Sequence, residues 1–168
     1  PLFDFNATAT GAGWIDALAN RARDVRDADQ TPVTPAHMDW SARNVRVDRE
    51  RVVAVYDWDN VALSTESTAV GQAAITWRIT SEPGGSEFPD ATEVAAFIGD
   101  YERAASSPMT SAQWRAAGGA ATWLLAYMAR CEHSLETQGM ARSDQHGARD
   151  RLASDAEQLL GLAPPARG

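Results

Sequence analysis

The sequence predicts an α+β domain, mostly helical, on three observations. Apolar residues recur at helical spacing before residue 30 and again after residue 90. Between these regions, the short runs NVRV and VVAVYDWD alternate or run apolar around a polar stretch, the pattern of an antiparallel hairpin. Segments rich in proline and glycine separate the regions from one another. A chain of 168 residues suffices for one domain, expected to span residues 1–168 and to bury roughly 70% of its unfolded surface.

Each element has a local cause. Residues 13–30 place Trp14, Leu18, Ala22 and Val25 on one helical face. TPVTP at 31–35 stops that helix, because proline lacks an N–H and restrains the residue before it. The hairpin follows, its strands meeting across residues 48–51. SEPGGSEFPD at 81–90 reads as a loop. Three further helices are expected. The first covers about 91–105, with Val94, Phe97, Ile98 and Tyr101 inward. The second is capped by Thr110 or Ser111 and runs to about 135, with Trp114, Gly118, Ala121, Leu124, Leu125 and Met128 as its apolar stripe. The third covers roughly 143–160, before a frayed tail at 163–168. Trp14, Trp77, Trp114 and Trp123 fit packing positions.

Composition removes several function classes. A net charge of −8 argues against a nucleic-acid partner, which needs clustered cations, and is compatible with a cationic small substrate. All fifteen basic residues are arginine, so a mechanism that needs a lysine cannot be completed by this chain. The single cysteine, Cys131, excludes an internal disulfide and reads as a small buried residue. No apolar run long enough to cross a membrane and no signal peptide is visible, which gives the expectation of a cytoplasmic protein without a membrane partner. The chain opens on Pro1, as expected if an initiator methionine was removed or the chain is a fragment.

Chemistry concentrates in AHMDWSARNVRV (residues 36–47) and in Asp57 and Asp59 at the end of the second apolar run. If the strand continues that far, Asp57 and Asp59 share one face and Trp58 packs on the other. Carboxylates this close repel unless a cation joins them, and Mg²⁺ takes hard oxygen ligands of this kind. Asn44 adds a neutral carbonyl oxygen across the hairpin, and Asp39 stands free to accept a proton from a hydroxyl. Alone, an Asp pair at a strand end is a solvated turn and an Asn before a strand is a turn residue; their conjunction points to a site.

HMDWSARNVRV…VVAVYDWDN resembles the catalytic core of the aminoglycoside phosphotransferase family, relatives of protein kinases. The resemblance covers about 25 residues directly and implies a protein-kinase-like C-terminal lobe whose small hairpin carries the catalytic and metal-binding loop. It makes Asp39 the catalytic base, Asn44 and Asp57 the Mg²⁺ ligands, and His37 a structural brace of the loop. Asp59 becomes a second metal contact or a support behind the first. Trp40 and Arg43 are candidates to touch substrate or phosphate. Met38 stands where the family usually has glycine, and Ala69 falls about where a loop-supporting aspartate is frequent.

The implied reaction is transfer of the γ-phosphate of ATP to a hydroxyl of a small molecule. The implied partners are that substrate and an N-terminal nucleotide lobe with a phosphate-facing lysine. The residues before His37 read as a helix and loops and offer no lysine. The 168-residue chain by itself is therefore expected to bind nucleotide poorly and to transfer no phosphate. Two other readings stand beside this one. A haloacid dehalogenase-type phosphatase would use Asp57 as nucleophile and Asp59 as acid/base, but needs later strand ends where helices are expected. A kinase-like lobe could also serve as a binding module without catalysis. His133 and His146 lie in helical surroundings without a metal-binding partner and read as surface or capping residues.

Overall fold

The computed structural model describes residues 2–79, 88–140 and 147–165. Within them the chain is α+β and mostly helical, with five helices and two two-stranded antiparallel sheets. Most of the expected loop at 81–90, the start of the third late helix including His146, and the end of the tail lie outside the described residues.

Helix α1 (Gly13–Asp27) ends three residues before the apolar pattern suggested, ahead of the TPVTP segment. Prolines 32 and 35 do not prevent pairing. Strand β1 (Thr34–His37) lies antiparallel to β4 (Val61–Ser64), with Thr34 opposite Ser64 and His37 opposite Val61. In a two-stranded ribbon both strands are edges, where a proline without an N–H costs least. This sheet was not expected from the sequence, because a four-residue strand carrying a proline has the composition of a breaker.

The expected hairpin is present as β2 (Val45–Asp48) and β3 (Arg51–Val55), with a register irregularity between Arg46 and Val47. Its two-residue turn, Arg49 and Glu50, adopts φ of 46° and 65°. That turn type matches the twist of the strands but asks both residues for the left-handed region, which glycine and asparagine tolerate better than arginine or glutamate. The double change Arg49→Asn, Glu50→Gly is expected to stabilise the chain by about 1 kcal/mol. A higher denaturant midpoint at unchanged slope would verify it.

Helix α2 (Glu66–Thr76) was also not expected. Its sequence, ESTAVGQAAIT, is built from small and β-branched residues with little apolar periodicity, yet seven of them are buried. Thr65 caps it, its hydroxyl accepting from the Thr68 amide at 3.3 Å. Helices α3 (Ala91–Ala104) and α4 (Ser111–Thr137) both open on capping boxes, Asp90 with Glu93 and Thr110 with Gln113. Helix α5 (Ala148–Leu160) is the last element.

The long helix α4 is the hub, with α1, α2 and α5 packed on it. Ile15, Val70, Ile75, Val94, Ile98, Trp114, Leu125, Leu152 and Leu159 form the core. Two glycines set how closely the helices approach. A Cβ on Gly71 of α2 would lie 2.1 Å from the Ala117 carbonyl oxygen, and one on Gly118 of α4 would lie 2.0 Å from that of Leu159. Trp114 is buried as expected, whereas Trp14 is 39% exposed and Cys131 only half-buried. His133 bonds the Thr10 carbonyl oxygen, a structural role of the kind expected. Among the described residues no helix is long and apolar enough to cross a membrane.

Candidate functional site

The loop between β1 and β2 is held at both ends by backbone bonds. The Met38 amide donates to the Asn60 carbonyl (2.9 Å), and the Ala42 amide donates to that of Trp77 (3.0 Å). Thr76 Oγ1 adds a bond to the Trp40 carbonyl at 2.8 Å. The loop is thus pinned to β4's approach on one side and to the end of α2 on the other.

His37 sits inside this frame. The Tyr56 carbonyl oxygen, 2.8 Å from Nε2, can only accept, so Nε2 carries the proton; Nδ1 accepts from the Asp39 amide at 3.3 Å. The ring thereby ties the loop to the end of β3. Trp40 and Trp58 contact it edge-on, at 5.7 and 5.4 Å.

Asp39 Oδ2 accepts from Arg43 Nη2 (2.8 Å) and from Asn44 Nδ2 (3.2 Å), and Asn44 Nδ2 also reaches the Asp39 carbonyl (2.8 Å). Partial burial works against the Asp39 charge, but the bonds from Arg43 and Asn44 outweigh it and hold the carboxyl below its usual range. Arg43, a candidate for substrate or phosphate, is engaged with Asp39. Asn44 is buried and spends its amide hydrogens on Asp39, leaving Oδ1 as the atom that could meet a cation.

The strand ends at Val55, so the expected alternation of Asp57 and Asp59 along it does not exist. Asp57 adopts a left-handed conformation (φ 65°, ψ 43°), and Trp58–Asn60 form a 3-10 turn. The turn still brings the two acids together. Asp59, first, and then desolvation push the Asp57 carboxyl above the ordinary value, with a smaller contribution from the charge of Asp39. Trp58 does not pack on a far strand face: it is 61% exposed, its ring N–H donating to the Val55 carbonyl at 2.9 Å. Asn60, not singled out from the sequence, donates Nδ2 to Asp57 Oδ2 at 3.2 Å and helps set that carboxylate. Only its place one residue past the acid pair could have marked it.

Asp39, Asn44 and Asp57 thus converge, with Asp59 beside Asp57 and His37 behind the loop. Among the described residues no group of three or more His, Cys, Asp or Glu is arranged to hold a metal. The donor set here is smaller: two crowded carboxylates and an amide oxygen. It suits a hard cation that needs one or two carboxylates and takes its remaining ligands from phosphate and water, as Mg²⁺ does. The crowding that favours a proton on Asp57 is the repulsion a divalent ion would relieve.

On the other side of Trp40 lies a cavity of about 600 Å³ between β1, α2 and α3. Tyr101 lines it and donates its hydroxyl to Glu66 at 2.5 Å. Burial, and then Glu66, push the Tyr101 phenol from its ordinary 10.0 up to about 12. Because the folded value is the higher, this pair's contribution to stability is complete below the ordinary value and is lost as pH rises through about 12. In alkaline unfolding, the wild-type chain is expected to lose stability across that window more steeply than Tyr101→Phe.

These features define a class no finer than an α+β, mostly helical protein with an acid-rich loop beside a cavity. No family model, curated protein or solved structure matches the chain.

Proposed function

We propose that the chain is the C-terminal lobe of an ATP-dependent small-molecule phosphotransferase of the aminoglycoside phosphotransferase type, acting on a substrate hydroxyl. The observation that carries this reading is the meeting of Asp39, Asn44 and Asp57 at one place, from a loop and a strand end thirteen or more residues apart in sequence. The kinase-like resemblance assigns these three residues to base and metal ligands, and their proximity is what that chemistry requires.

In this reading the acceptor oxygen attacks the γ-phosphorus, the bond from that phosphorus to the bridging oxygen of ADP breaks, and the hydroxyl proton passes to the Asp39 carboxylate. Arg43 and Asn44 keep Asp39 ionised and aimed. A carboxyl held below its usual range is a weak base, so its work is to orient the hydroxyl and to take the proton late. His37 fixes the Asp39 backbone. Asn44 and Asp57, with Asp59 adjacent, would hold Mg²⁺, which when bound neutralises charge on the phosphate oxygens. Positioning supplies most of the remaining acceleration.

The nucleotide's other contacts belong to an N-terminal lobe. In support of such a partner, Val47, Val52, Val53, Tyr56, Trp58 and Leu63 are all exposed on the strands and turn around Asp57. The test is transfer of labelled γ-phosphate to an alcohol by a form of the protein that includes a nucleotide lobe. Transfer that requires Asp39 and Asp57 supports the reading; folded protein that transfers equally well without Asp39 overturns it.

A further inference from the structure

Each strand of the two ribbons has one outer edge, and three of these edges carry a feature that discourages further pairing. Strand β1 contains Pro35, which has no N–H to offer. Strand β2 contains Arg46 and Asp48. Strand β3 opens on Arg51 and holds the extra residue, Val53, at its shift of register. Strand β4, Val61-Ala62-Leu63-Ser64, has no proline, no charge and no shift. Its Val61 and Leu63 are 41% and 71% exposed.

The register fixes which way the β4 backbone points. The Met38 amide donates to the Asn60 carbonyl, and hydrogen-bonded pairs recur at every second residue of an antiparallel ladder. Ala36–Ala62 and Thr34–Ser64 are therefore the bonded pairs, and the amides and carbonyls of Val61 and Leu63 face away from β1. No group among the described residues bonds them from the outer side. An apolar edge with its backbone groups unpaired is a template for another strand.

The strand that fits is β4 of a second copy. Antiparallel pairing about a two-fold axis at Ala62 sets Val61 opposite the partner's Leu63, and Leu63 opposite the partner's Val61. Each pair exchanges two N–H···O bonds, and the side chains make apolar cross-strand contacts on one face. Charge agrees. In the same register Asp59 falls opposite the partner's Thr65 and Glu66 opposite the partner's Trp58, so no acid meets an acid although each copy carries a net charge of −8. A foreign strand would have to be selected by charges that β4 lacks, whereas a second copy needs none. A standard interface buries about 800 Å² per partner, more than one four-residue strand with the exposed Trp58 and Tyr56 nearby supplies, so the dimer is a weak one.

We propose that two copies of this chain associate through β4, joining their β1–β4 ribbons into one four-stranded antiparallel sheet of order β1-β4-β4-β1. The proposal does not rest on the phosphotransferase reading. The test is sedimentation equilibrium of the 168-residue chain up to about 1 mM, which is expected to show a monomer–dimer equilibrium with a Kd of about 0.1 mM. Association is expected to tighten as added salt screens the like net charges. Leu63→Lys is expected to weaken the dimer at least about tenfold, and Val52→Lys on the hairpin to leave it unchanged. In a mixed sample of differently labelled wild-type copies, isotope-filtered NOEs are expected between the Val61 methyls of one copy and the Leu63 methyls of the other. A chain that stays monomeric, association that grows past the dimer, a dimer that Leu63→Lys leaves intact, or filtered NOEs that avoid β4 would each overturn the proposal. Should Leu63→Lys melt early, the wild-type NOEs decide.

Discussion

Asp39→Asn is expected to lower phosphoryl transfer about a thousandfold, in a form of the protein that includes a nucleotide lobe, while leaving the fold intact. Asparagine has nearly the same shape and keeps an oxygen to accept from Arg43 or Asn44, so the loop loses little. The Arg43–Asp39 pair is partly solvated, and pairs of that kind contribute at most about 1 kcal/mol. On the proposed phosphotransferase reading, what disappears is the charge that would orient the hydroxyl and take its proton. The loss therefore falls on kcat, with KM for the acceptor little changed, because the interaction strengthens only as the proton moves. Steady-state kinetics beside a thermal melt separate the two effects. A variant that melts normally and keeps its kcat would deny Asp39 the role given to it.

Gly118→Val is expected to cost more than about 3 kcal/mol and to leave the chain largely unfolded at ambient temperature. The clash is with the Leu159 carbonyl at 2.0 Å, which is helix backbone and cannot rotate aside. Helix α5 would have to move as a unit, opening the contacts of Leu152 and Leu159 in the core. Gly71 makes the same demand on α2 and α4. Gly13 is the internal control: a Cβ there meets nothing within 4 Å, so Gly13→Ala should be neutral or slightly stabilising. Urea unfolding of the two variants reads the difference, and a Gly118→Val chain as stable as Gly13→Ala would contradict the packing described.

The elements that sequence reasoning found are those with strong local signals. Thr110 with Gln113 and Asp90 with Glu93 mark helix starts by their own chemistry, and the hairpin shows in its alternation. The elements it missed are stabilised from a distance. Helix α2 has small residues because α4 lies almost on its backbone, so the packing that makes it a helix also erased its apolar period. Strand β1 is ordered by β4, which lies more than twenty residues later. The site divides the same way. Asp39, Asn44 and Asp57 were legible as a set because their spacing carried a resemblance. The left-handed Asp57, the supporting Asn60, and the hold of Thr76 and Trp77 on the loop depend on a turn and a helix that the local sequence does not announce. Arg43 was visible, but its engagement with Asp39 followed only from the fold of the loop.

The convergence of Asp39, Asn44 and Asp57 on one divalent ion is tested most directly by titrating Mn²⁺ into the isotope-labelled 168-residue chain and following paramagnetic line broadening. The expected result is broadening centred on the amides of Asn44 and residues 57–60, relieved by excess Mg²⁺ and lost in Asp57→Asn. Broadening spread over other acidic surfaces, or unchanged in Asp57→Asn, would contradict it.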